Sequence, residues 1–339
     1  MPKPESKKHQ LALKYLRKFP RASKKSIGKK LHKDYPSLYK GAEDARSSVR
    51  KAAGKCGSKY RNQKHVKLEI VEHQTNFSPQ NPYGMPDSDE AVYEPYVLPK
   101  VNNNIGLLYD IHNPYHNIPA LTCAIKYLQE QKINTLILAG DAMDCYKASR
   151  FSQDPSKRNL RGEIESMREM LKSFQRAFPL AKIFFQEGNH EKRWSLLLRN
   201  KAPEICDMDE FRLDIILGLR DIGATWVGDK RIIKAGKLNI IHGHEFFGGG
   251  SGGVNPARAL YLKAKKSTIE GHFHQVSEHT EPSPMDGELT TCWSVGCLCE
   301  LNPEYMPLNK WSHGFAHVTV SDDGNFRVRN FRIKDGRIL

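Results

Sequence analysis

The larger part of the chain alternates between apolar runs of strand length and longer stretches whose apolar positions recur with helical spacing. From residue 101 the order is strand, helix, strand, helix, strand, over residues 105–110, 118–131, 133–141, 162–178 and 181–191. This alternation is the signature of βαβ units, in which helices cover a buried sheet. Beyond residue 222 short strands dominate, and residues 315–333 predict a hairpin that turns at DDGN.

The first part of the chain has apolar positions at helical spacing among many basic residues. This pattern predicts three short helices, within residues 9–19, 24–35 and 38–54. Ser23 precedes the second helix, where its hydroxyl can cap the amide groups of the first turn. Three compact helices joined by short turns predict a small all-α domain of the helix-turn-helix kind.

The positive charge of the chain is concentrated in this helical segment. Residues 1–70 contain 21 basic and 5 acidic side chains, a net charge of +16, whereas the rest of the chain sums to −1. So strong a local excess predicts a polyanionic partner. Arg46, Arg50 and Lys51 lie away from the apolar face of the third helix, so we expect them to contact nucleic acid, with DNA in first place. A merely solubilising basic segment is the alternative, and the interleaved apolar periodicity argues against it.

Residues 72–99 are rich in Pro, Asn and Ser and lack periodicity, which is typical of a linker. The sequence therefore predicts a basic helical domain at 1–70, a linker at 71–100 and a larger α/β domain at 101–339. No apolar run approaches the ~18 residues that cross a membrane, and no secretory signal precedes the first helix. Seven scattered cysteines without a CxxC pair indicate reduced thiols. We expect a cytoplasmic protein with no membrane partner, and no feature indicates an oligomeric state.

Polar side chains follow five apolar runs of the larger domain at the point where each predicted strand ends. They are Asp110 and His112, Asp141 and Asp144, Asn189 and His190, His242 and His244, and His272 and His274. Because loops at the carboxyl edge of an α/β sheet surround one crevice, we expect these side chains to converge. Carboxylate, imidazole and amide-oxygen ligands suit Mn, Fe or Zn. Two such ions ~3.5–4 Å apart can clamp both oxygens of a phosphoryl displacement, and Asp141, at the centre of the set, is the candidate to bridge them.

The ordered motifs DIH, GDAMD, GNHE, HGH and GHFH resemble those of the calcineurin-like metallophosphoesterase superfamily. The resemblance covers residues from about 105 to 275. It implies that residues 101–339 form a metallophosphoesterase domain with the family's four-layer α/β/β/α sandwich. It also implies two divalent metal ions, with Mn²⁺ in first place and Fe, Zn or Mg as alternatives.

Carried onto this sequence, the resemblance assigns the site residue by residue. One metal would be bound by Asp110, His112 and His274, the other by Asn189, His242 and His272, and both by Asp141. His190 would act as general acid toward the leaving oxygen, and Asp144 matches a position that orients this histidine. Glu191 is interpreted as a hydrogen-bond acceptor that keeps the turn rigid. The nucleophile would be a metal-bound hydroxide that attacks in line.

The second motif departs from one branch of the family. Protein Ser/Thr phosphatases have GDxxDRG, in which the arginine grips the substrate phosphate, and here Cys145 stands in its place. The phosphoprotein-phosphatase interpretation is therefore weakened. Arg193 is a candidate to supply the missing cation, and an exposed helix residue is the alternative interpretation of Arg193.

Some histidines and cysteines lie near the motifs without being needed to complete the ligand set. His116 and His244 are interpreted as substrate-facing or structural. Cys292, Cys297 and Cys299 fall in a β-rich run with spacing unsuited to a structural zinc site, which favours plain packing.

The leading hypothesis is a dimetal phosphodiesterase that cuts nucleic acid, plausibly a DNase, with the basic domain gathering the polyanion. One alternative is a phosphomonoesterase, acting on nucleotides or small molecules, that the basic domain tethers to DNA. Another is a DNA-binding factor with a vestigial site, against which the intact ligand set argues. The architecture also resembles proteins encoded by bacteriophages, in which case the host cytoplasm is the expected location.

Overall fold

The computed structural model describes residues 6–20, 22–53, 81–85, 93–149, 159–246 and 253–339. The chain divides into two compact units, Met1–Val92 and Tyr93–Leu339, and each is described by itself. Much of the predicted linker, residues 71–80 and 86–92, lies outside the described residues.

In the described part of the N-terminal unit, three helices pack around one small core. They are α1 (Lys7–Lys18), α2 (Lys24–Asp34) and α3 (Ala42–Ala52). Ser23 caps α2, as predicted, because its side chain accepts a hydrogen bond from the backbone amide of Ser26 at 3.1 Å. The core is formed by buried side chains of all three helices, together with Tyr39 before α3: Ala12, Tyr15, Ile27, Leu31, Ala45 and Val49.

Three features fix how these helices meet. A Cβ atom on Gly28 would lie 2.8 Å from the backbone of Arg46, so only glycine lets α2 approach α3 this closely. The ammonium group of Lys8 lies 2.6 Å from Asp44, which ties α1 to α3. The hydroxyl of Tyr15 donates to Asp34 at 2.5 Å, which ties α1 to the end of α2.

The larger unit is a mixed α/β structure with two sheets. Its strands are β1 (Tyr96–Val97), β2 (Asn104–Leu108), β3 (Thr135–Ala139), β4 (Lys182–Gln186), β5 (Thr225–Val227), β6 (Ile233–Ala235), β7 (Leu238–Ile240), β8 (Thr268–Glu270), β9 (Ser277–Pro282), β10 (Leu289–Ser294), β11 (His313–Val320), β12 (Phe326–Lys334) and β13 (Arg337–Ile338). One sheet has the order β13-β12-β11-β2-β3-β4-β5, and the other has the order β1-β6-β7-β8-β10-β9. In the first sheet β2 to β5 are parallel, which aligns their carboxyl ends along one edge.

The helices of this unit connect and cover the strands. They are α4 (Ile118–Glu130), α5 (Leu160–Ala177), α6 (Asn189–Lys201), the short α7 (Leu213–Ile216) and α8 (Pro256–Ala264). The predicted alternation is confirmed in the order β2, α4, β3, α5, β4, and the predicted hairpin is formed by β11 and β12. One strand was not expected: β1 lies within the range predicted as linker, where the Tyr96 amide donates to the Ile232 carbonyl at 2.8 Å.

Three separate apolar clusters hold this unit together. The first lies between the sheets, where Ile105 and Leu107 of β2 meet Ile240 of β7. The second packs α4 and α5 against the other face of the seven-stranded sheet. The third packs Leu260 of α8 against Ile241, beside the six-stranded sheet. The sheets therefore meet face to face, and loops from both surround one crevice.

None of the described helices has the length and apolarity needed to span a membrane. The six cysteines among the described residues carry free thiols, which agrees with the predicted reduced state.

Candidate metal centre

The parallel strands of the seven-stranded sheet deliver the first predicted ligands to one place. Asp110 and Asp141 each follow the last residue of a strand by two positions, after β2 and β3 respectively, and Asn189 begins α6 just beyond β4. Backbone hydrogen bonds hold these loops together, since the His112 amide donates to the Asp141 carbonyl at 2.9 Å. Neighbouring strands in register thus place successive motifs side by side.

The six-stranded sheet supplies the remaining histidines. His242 follows β7, and His272 and His274 follow β8, its parallel neighbour. The His272 amide donates to Oδ2 of Asp110 at 2.8 Å, which joins the loops of the two sheets. The predicted site therefore lies where the strand ends of both sheets meet.

The backbone at this meeting point is strained. Five of the predicted ligands have positive φ, namely Asp110 (50°), His112 (48°), Asp141 (50°), His272 (66°) and His274 (57°). Non-glycine residues rarely adopt this left-handed conformation, which costs ~1–3 kcal/mol per residue and clusters at functional sites. The strain turns each side chain toward the crevice directly after its strand ends.

The ligands predicted for one metal lie together. Nε2 of His274 lies 3.3 Å from Oδ1 of Asp110 and 3.3 Å from Nε2 of His112. Nε2 of His112 lies 3.9 Å from the same Asp110 oxygen. All three residues are buried.

The ligands predicted for the other metal form an adjacent group. Nε2 of His242 lies 3.1 Å from Oδ1 of Asn189 and 3.2 Å from Oδ2 of Asp141. His272 joins this group, because its ligand atom lies within 4.8 Å of those of His242 and Asp141. Oδ2 of Asp141 also lies 3.9 Å from Nε2 of His112, so this carboxylate stands between the two groups.

The shorter of these spacings, 3.1 to 3.3 Å, match those of atoms that share a metal ion. Donors bound at about 2.1 Å lie about 3.0 Å apart in an octahedral site and about 3.4 Å apart in a tetrahedral one. Two facing imidazole nitrogens can share at most one proton, and Oδ1 of Asp110 has no hydrogen-bond partner within the described part of the chain. A cation at each group would satisfy these atoms, so the residues present fit two divalent metal ions.

The charges of the centre are strongly coupled. Burial would raise the pKa of Asp141, but the His190 and His242 imidazoles hold it well below its usual range. Burial lowers the pKa of His242, yet the Asp141 carboxylate outweighs it and raises the value to about 10. Asp110 raises the pKa of His274 to about 10 in the same way. Protons and metal ions therefore compete for the same nitrogens.

Asp144 links the predicted acid to a predicted metal ligand. Its Oδ1 atom lies 2.9 Å from Nδ1 of His112 and 3.0 Å from Nδ1 of His190. Burial would raise the pKa of Asp144, but the hydrogen bonds with these two histidines lower it. A single carboxylate thus sets the orientation of both rings.

Arg193 faces the site, so its interpretation as an exposed helix residue is wrong. It lies three residues after His190 on α6, and this helical spacing puts both side chains on one face. Its Nη2 atom lies 2.8 Å from Nε2 of His190, and Nη1 donates to the Asp144 carbonyl at 3.0 Å. Cys145, at the position of the family arginine, is fully buried.

Glu191 holds the loops after β3 and β4 in place. It is 1% exposed and accepts hydrogen bonds from the amides of Asp141 at 3.1 Å, Met143 at 2.8 Å and Gly188 at 2.9 Å. A Cβ atom on Gly188 would lie 2.2 Å from Oδ1 of Asp141, so the close approach requires glycine. The glutamate and the glycine together fix the position of the Asp141 carboxylate.

The sequence analysis missed Glu245 and Trp311 beside the centre, and it interpreted Cys299, which also lies there, as plain packing. Glu245 accepts from the amides of His242 at 2.9 Å and Gly243 at 2.7 Å, as Glu191 does in its own loop. The repeated order of a glutamate shortly after a ligand motif was a signal for it. Cys299 lies 4.0 Å from Nδ1 of His274, and the Trp311 ring centroid lies 4.1 Å from that of His274. No local motif marks these two residues.

The two additional histidines have different surroundings. The His244 ring lies 5.3 Å from that of His242, and its nitrogens have no hydrogen-bond partner among the described residues. The backbone of His116 pairs with that of Cys299 in antiparallel fashion. Its Nδ1 atom lies 3.4 Å from the side-chain nitrogen Nδ2 of Asn113. His244 therefore adjoins the centre, whereas His116 belongs to the groove beside α4.

The predicted nucleic-acid contacts lie on α3 of the N-terminal unit. Arg50 and Lys51 are exposed. Arg46 is half-buried, and its Nη1 atom lies 3.2 Å from Glu43. Of the three, Arg50 and Lys51 are the more accessible to a phosphate backbone.

No family model and no curated protein matches the chain. Solved structures show similarity, and three of them serve as examples. Vacuolar Protein Sorting 29 from Cryptosporidium parvum is 13% identical, with 70% of this chain and 94% of that chain covered and a TM-score of 0.38. A dimetal phosphatase from Danio rerio is 11% identical, with 70% and 98% covered and a TM-score of 0.34. Vps29 from Chaetomium thermophilum is 11% identical, with 69% and 99% covered and a TM-score of 0.30.

Proposed function

We propose that the protein is a dimetal phosphodiesterase of the calcineurin-like superfamily that cleaves nucleic acid, with DNA as the preferred substrate. The observation that carries this proposal is the position of Asp141 between two ligand groups. Its Oδ2 atom lies 3.2 Å from His242 and 3.9 Å from His112. Two cations ~3.5–4 Å apart repel each other, so they need an anion that both of them share.

The metals would acidify a water molecule and neutralise charge on the phosphoryl group. Mn²⁺ is proposed first because it accepts mixed imidazole and oxygen ligands, with Fe, Zn and Mg as alternatives. The ligand atoms of Asp110, His112 and Asp141 lie within 4.8 Å of one another, as do those of Asp141, His242 and His272. The chain therefore contributes two adjacent, preformed groups of donors for the metals.

The proton for the leaving oxygen would come from His190. Its Nδ1 atom is held by Asp144, and its Nε2 atom lies 3.6 Å from Oδ2 of Asp141 and 2.8 Å from Nη2 of Arg193. Arg193 would turn to the substrate phosphate and so free Nε2 for the leaving oxygen. Although burial lowers its pKa, the Asp141 and Asp144 carboxylates raise it above the ordinary histidine value. The two carboxylates thus favour the protonated imidazole that a general acid requires.

Arg193 would hold the substrate phosphate. Its guanidinium lies against His190 and carries a permanent charge, so it would offer donors to the non-bridging oxygens of a phosphate bound beside His190. This geometry supports the idea that Arg193 binds the substrate phosphate as the arginine of GDxxDRG does in the protein Ser/Thr phosphatases. In this chain Cys145 stands in the place of that arginine.

The N-terminal unit would bind DNA as a helix-turn-helix-like module of the bacteriophage type. Its exposed Arg50 and Lys51, the close packing of α2 on α3 at Gly28 and its basic composition support this role. The four-layer sandwich is likewise proposed for the larger unit, supported by the helices that pack beside each of the two facing sheets.

The proposal is tested by a substrate panel on the full-length protein, stripped of metal and then supplied with Mn²⁺. Bis-p-nitrophenyl phosphate, single-stranded DNA and plasmid should be cleaved, and Asp141→Asn should be inactive on all of them. Turnover of p-nitrophenyl phosphate alone would instead favour a tethered monoesterase. No metal-dependent turnover of any ester would favour a DNA-binding factor with a vestigial site.

A further inference from the structure

An aromatic pair extends from the wall of the metal centre to its surface. The Trp311 ring packs edge-on against the His274 ring, with centroids 4.1 Å apart and an interplanar angle of 62°. Tyr305 packs against Trp311 in turn, at 6.3 Å and 65°. The chain of rings connects a predicted metal ligand to the exposed segment between β10 and β11.

Tyr305 lies one ring beyond Trp311, which itself packs on the predicted ligand His274. The residue is 73% exposed, so its ring offers a face to solvent. Local desolvation and then the Asp144 carboxylate raise the pKa of its hydroxyl to about 12. The ring therefore remains accessible to a ligand, next to the Trp311 ring that borders the centre.

The segment that carries Tyr305 is braced by its own asparagines. Nδ2 of Asn309 donates to the carbonyls of Leu301 at 2.5 Å and Met306 at 2.8 Å, and its Oδ1 accepts from the Trp311 amide at 2.8 Å. Asn302 donates to the Pro307 carbonyl at 2.9 Å. A ring held in this way loses little conformational freedom when a ligand packs on it.

We propose that Tyr305, supported by Trp311, is a stacking platform for an unpaired nucleobase next to the scissile phosphate, so that single strands are preferred over duplex. The inference rests on the proposed function and names its substrate class. Aromatic faces stack on every base, and a paired base in a duplex has no free face to offer. The cationic Arg193 and the metals would hold the phosphate while the ring holds the base beside it.

The test combines Tyr305→Ala with abasic substitutions in a short single-stranded oligonucleotide. In the parent, one abasic position near the cleaved bond should lower kcat/KM about 10-fold, the effect of losing one stacked base. Tyr305→Ala should lower kcat/KM on the intact strand by a similar factor and should make the abasic position nearly neutral. Any contribution of the N-terminal unit to DNA binding is the same in the parent and in Tyr305→Ala, so it cancels from the ratio of their kcat/KM values.

Matched variants separate stacking from other causes. Tyr305→Phe and Tyr305→Trp retain a ring and should retain most of the activity and the abasic effect. Leu308→Ala removes a side chain that is 94% exposed on the same segment, outside the ring pair, and should behave as the parent. Duplex DNA should be cut more slowly than single strands by the parent, with a smaller difference in Tyr305→Ala.

Two negative results have different meanings. The parent could cleave oligonucleotides while the fold-losses in kcat/KM from Tyr305→Ala and from the abasic position simply multiply. In that case the stacking role of Tyr305 is wrong, and the proposed nuclease activity is retained. If the metal-loaded parent cleaves no nucleic acid, the proposed function is wrong and the platform falls with it.

Discussion

Asp144 and His190 are joined by a 3.0 Å contact between Oδ1 and Nδ1, and the same oxygen lies 2.9 Å from Nδ1 of His112. One carboxylate therefore orients both the proposed acid and a proposed metal ligand. Damage to this carboxylate should affect metal binding and proton transfer together.

Asp144→Asn is expected to reduce both functions of the centre. The amide cannot accept from both rings at full strength, so we expect a 10–100-fold loss of Mn²⁺ affinity. Calorimetric titration of the metal-free protein measures this loss. Asp286→Asn, at an exposed aspartate, is the control. Unchanged Mn²⁺ affinity in Asp144→Asn would contradict the role assigned to this residue.

Asp141→Asn is expected to abolish activity and to leave less than the full metal content. Its carboxylate stands between the two ligand groups, and the neutral amide cannot hold two cations together. Elemental analysis should show two Mn²⁺ per parent chain and fewer in the variant. Mn²⁺ should raise the Tm of the parent more than that of the variant, because a bound ligand stabilises the folded state.

His190→Ala should retain the metals and lose turnover. We expect kcat on DNA to fall ~10²–10⁴-fold, the usual contribution of a positioned acid. The loss should be smaller on bis-p-nitrophenyl phosphate, whose leaving group departs readily without a proton. His116→Ala, outside the ligand groups, is the control. An equal loss on both substrates would speak against proton donation by His190.

The metal-free protein should lose stability as pH rises from about 7 toward 10. His242 and His274 have pKa values of about 10 in the folded state, well above the ~6.5 of an unfolded histidine. Their protons therefore stabilise the fold fully below the unfolded pKa, and this contribution disappears as pH passes through the folded pKa. Urea unfolding at several pH values checks it. The protein with Mn²⁺ should show a smaller decline, because metal replaces these protons.

Arg50→Ala combined with Lys51→Ala should weaken DNA binding and flatten its salt dependence. Each lost phosphate contact lowers the slope of log affinity against log salt by about 0.9. Arg46→Ala should have less effect, because Arg46 is half-buried beside Glu43. Lys334→Ala, exposed on β12, is the control. A slope unchanged in the double variant would place the DNA contacts elsewhere.

The strand-end ligands could be expected from the sequence because parallel strands in register bring their carboxyl ends to one edge. Asp110 and Asp141 are examples, since each follows its strand by the same two residues. The orientation of Arg193 required one further fact, the start of α6 at Asn189, which puts residues 190 and 193 on one helix face. With the helix boundary known, its inward position follows from spacing alone.

Other neighbours of the centre could not be read from local patterns. Cys299 and Trp311 reach His274 only through the path of the chain between β10 and β11, which tertiary packing decides. The two-residue β1 was hidden for a related reason, because its main-chain pairing with β6 needs no periodic side chains. A sequence pattern reveals which positions are buried at the regular spacing of a helix or strand. These contacts are made by residues that follow no such spacing.

The left-handed backbone at five predicted ligands bears on how this chain would change over generations. At each of these positions glycine would relieve ~1–3 kcal/mol of strain while removing a metal ligand. Glycine at Asp110 or Asp141 would also remove the carboxylate that pairs with His274 or His242, so relief of strain and loss of pairing would oppose each other in the free energy of unfolding. The strained backbone and the charged pairs of the centre therefore form one unit, in which no single ligand can be exchanged without cost to its neighbours.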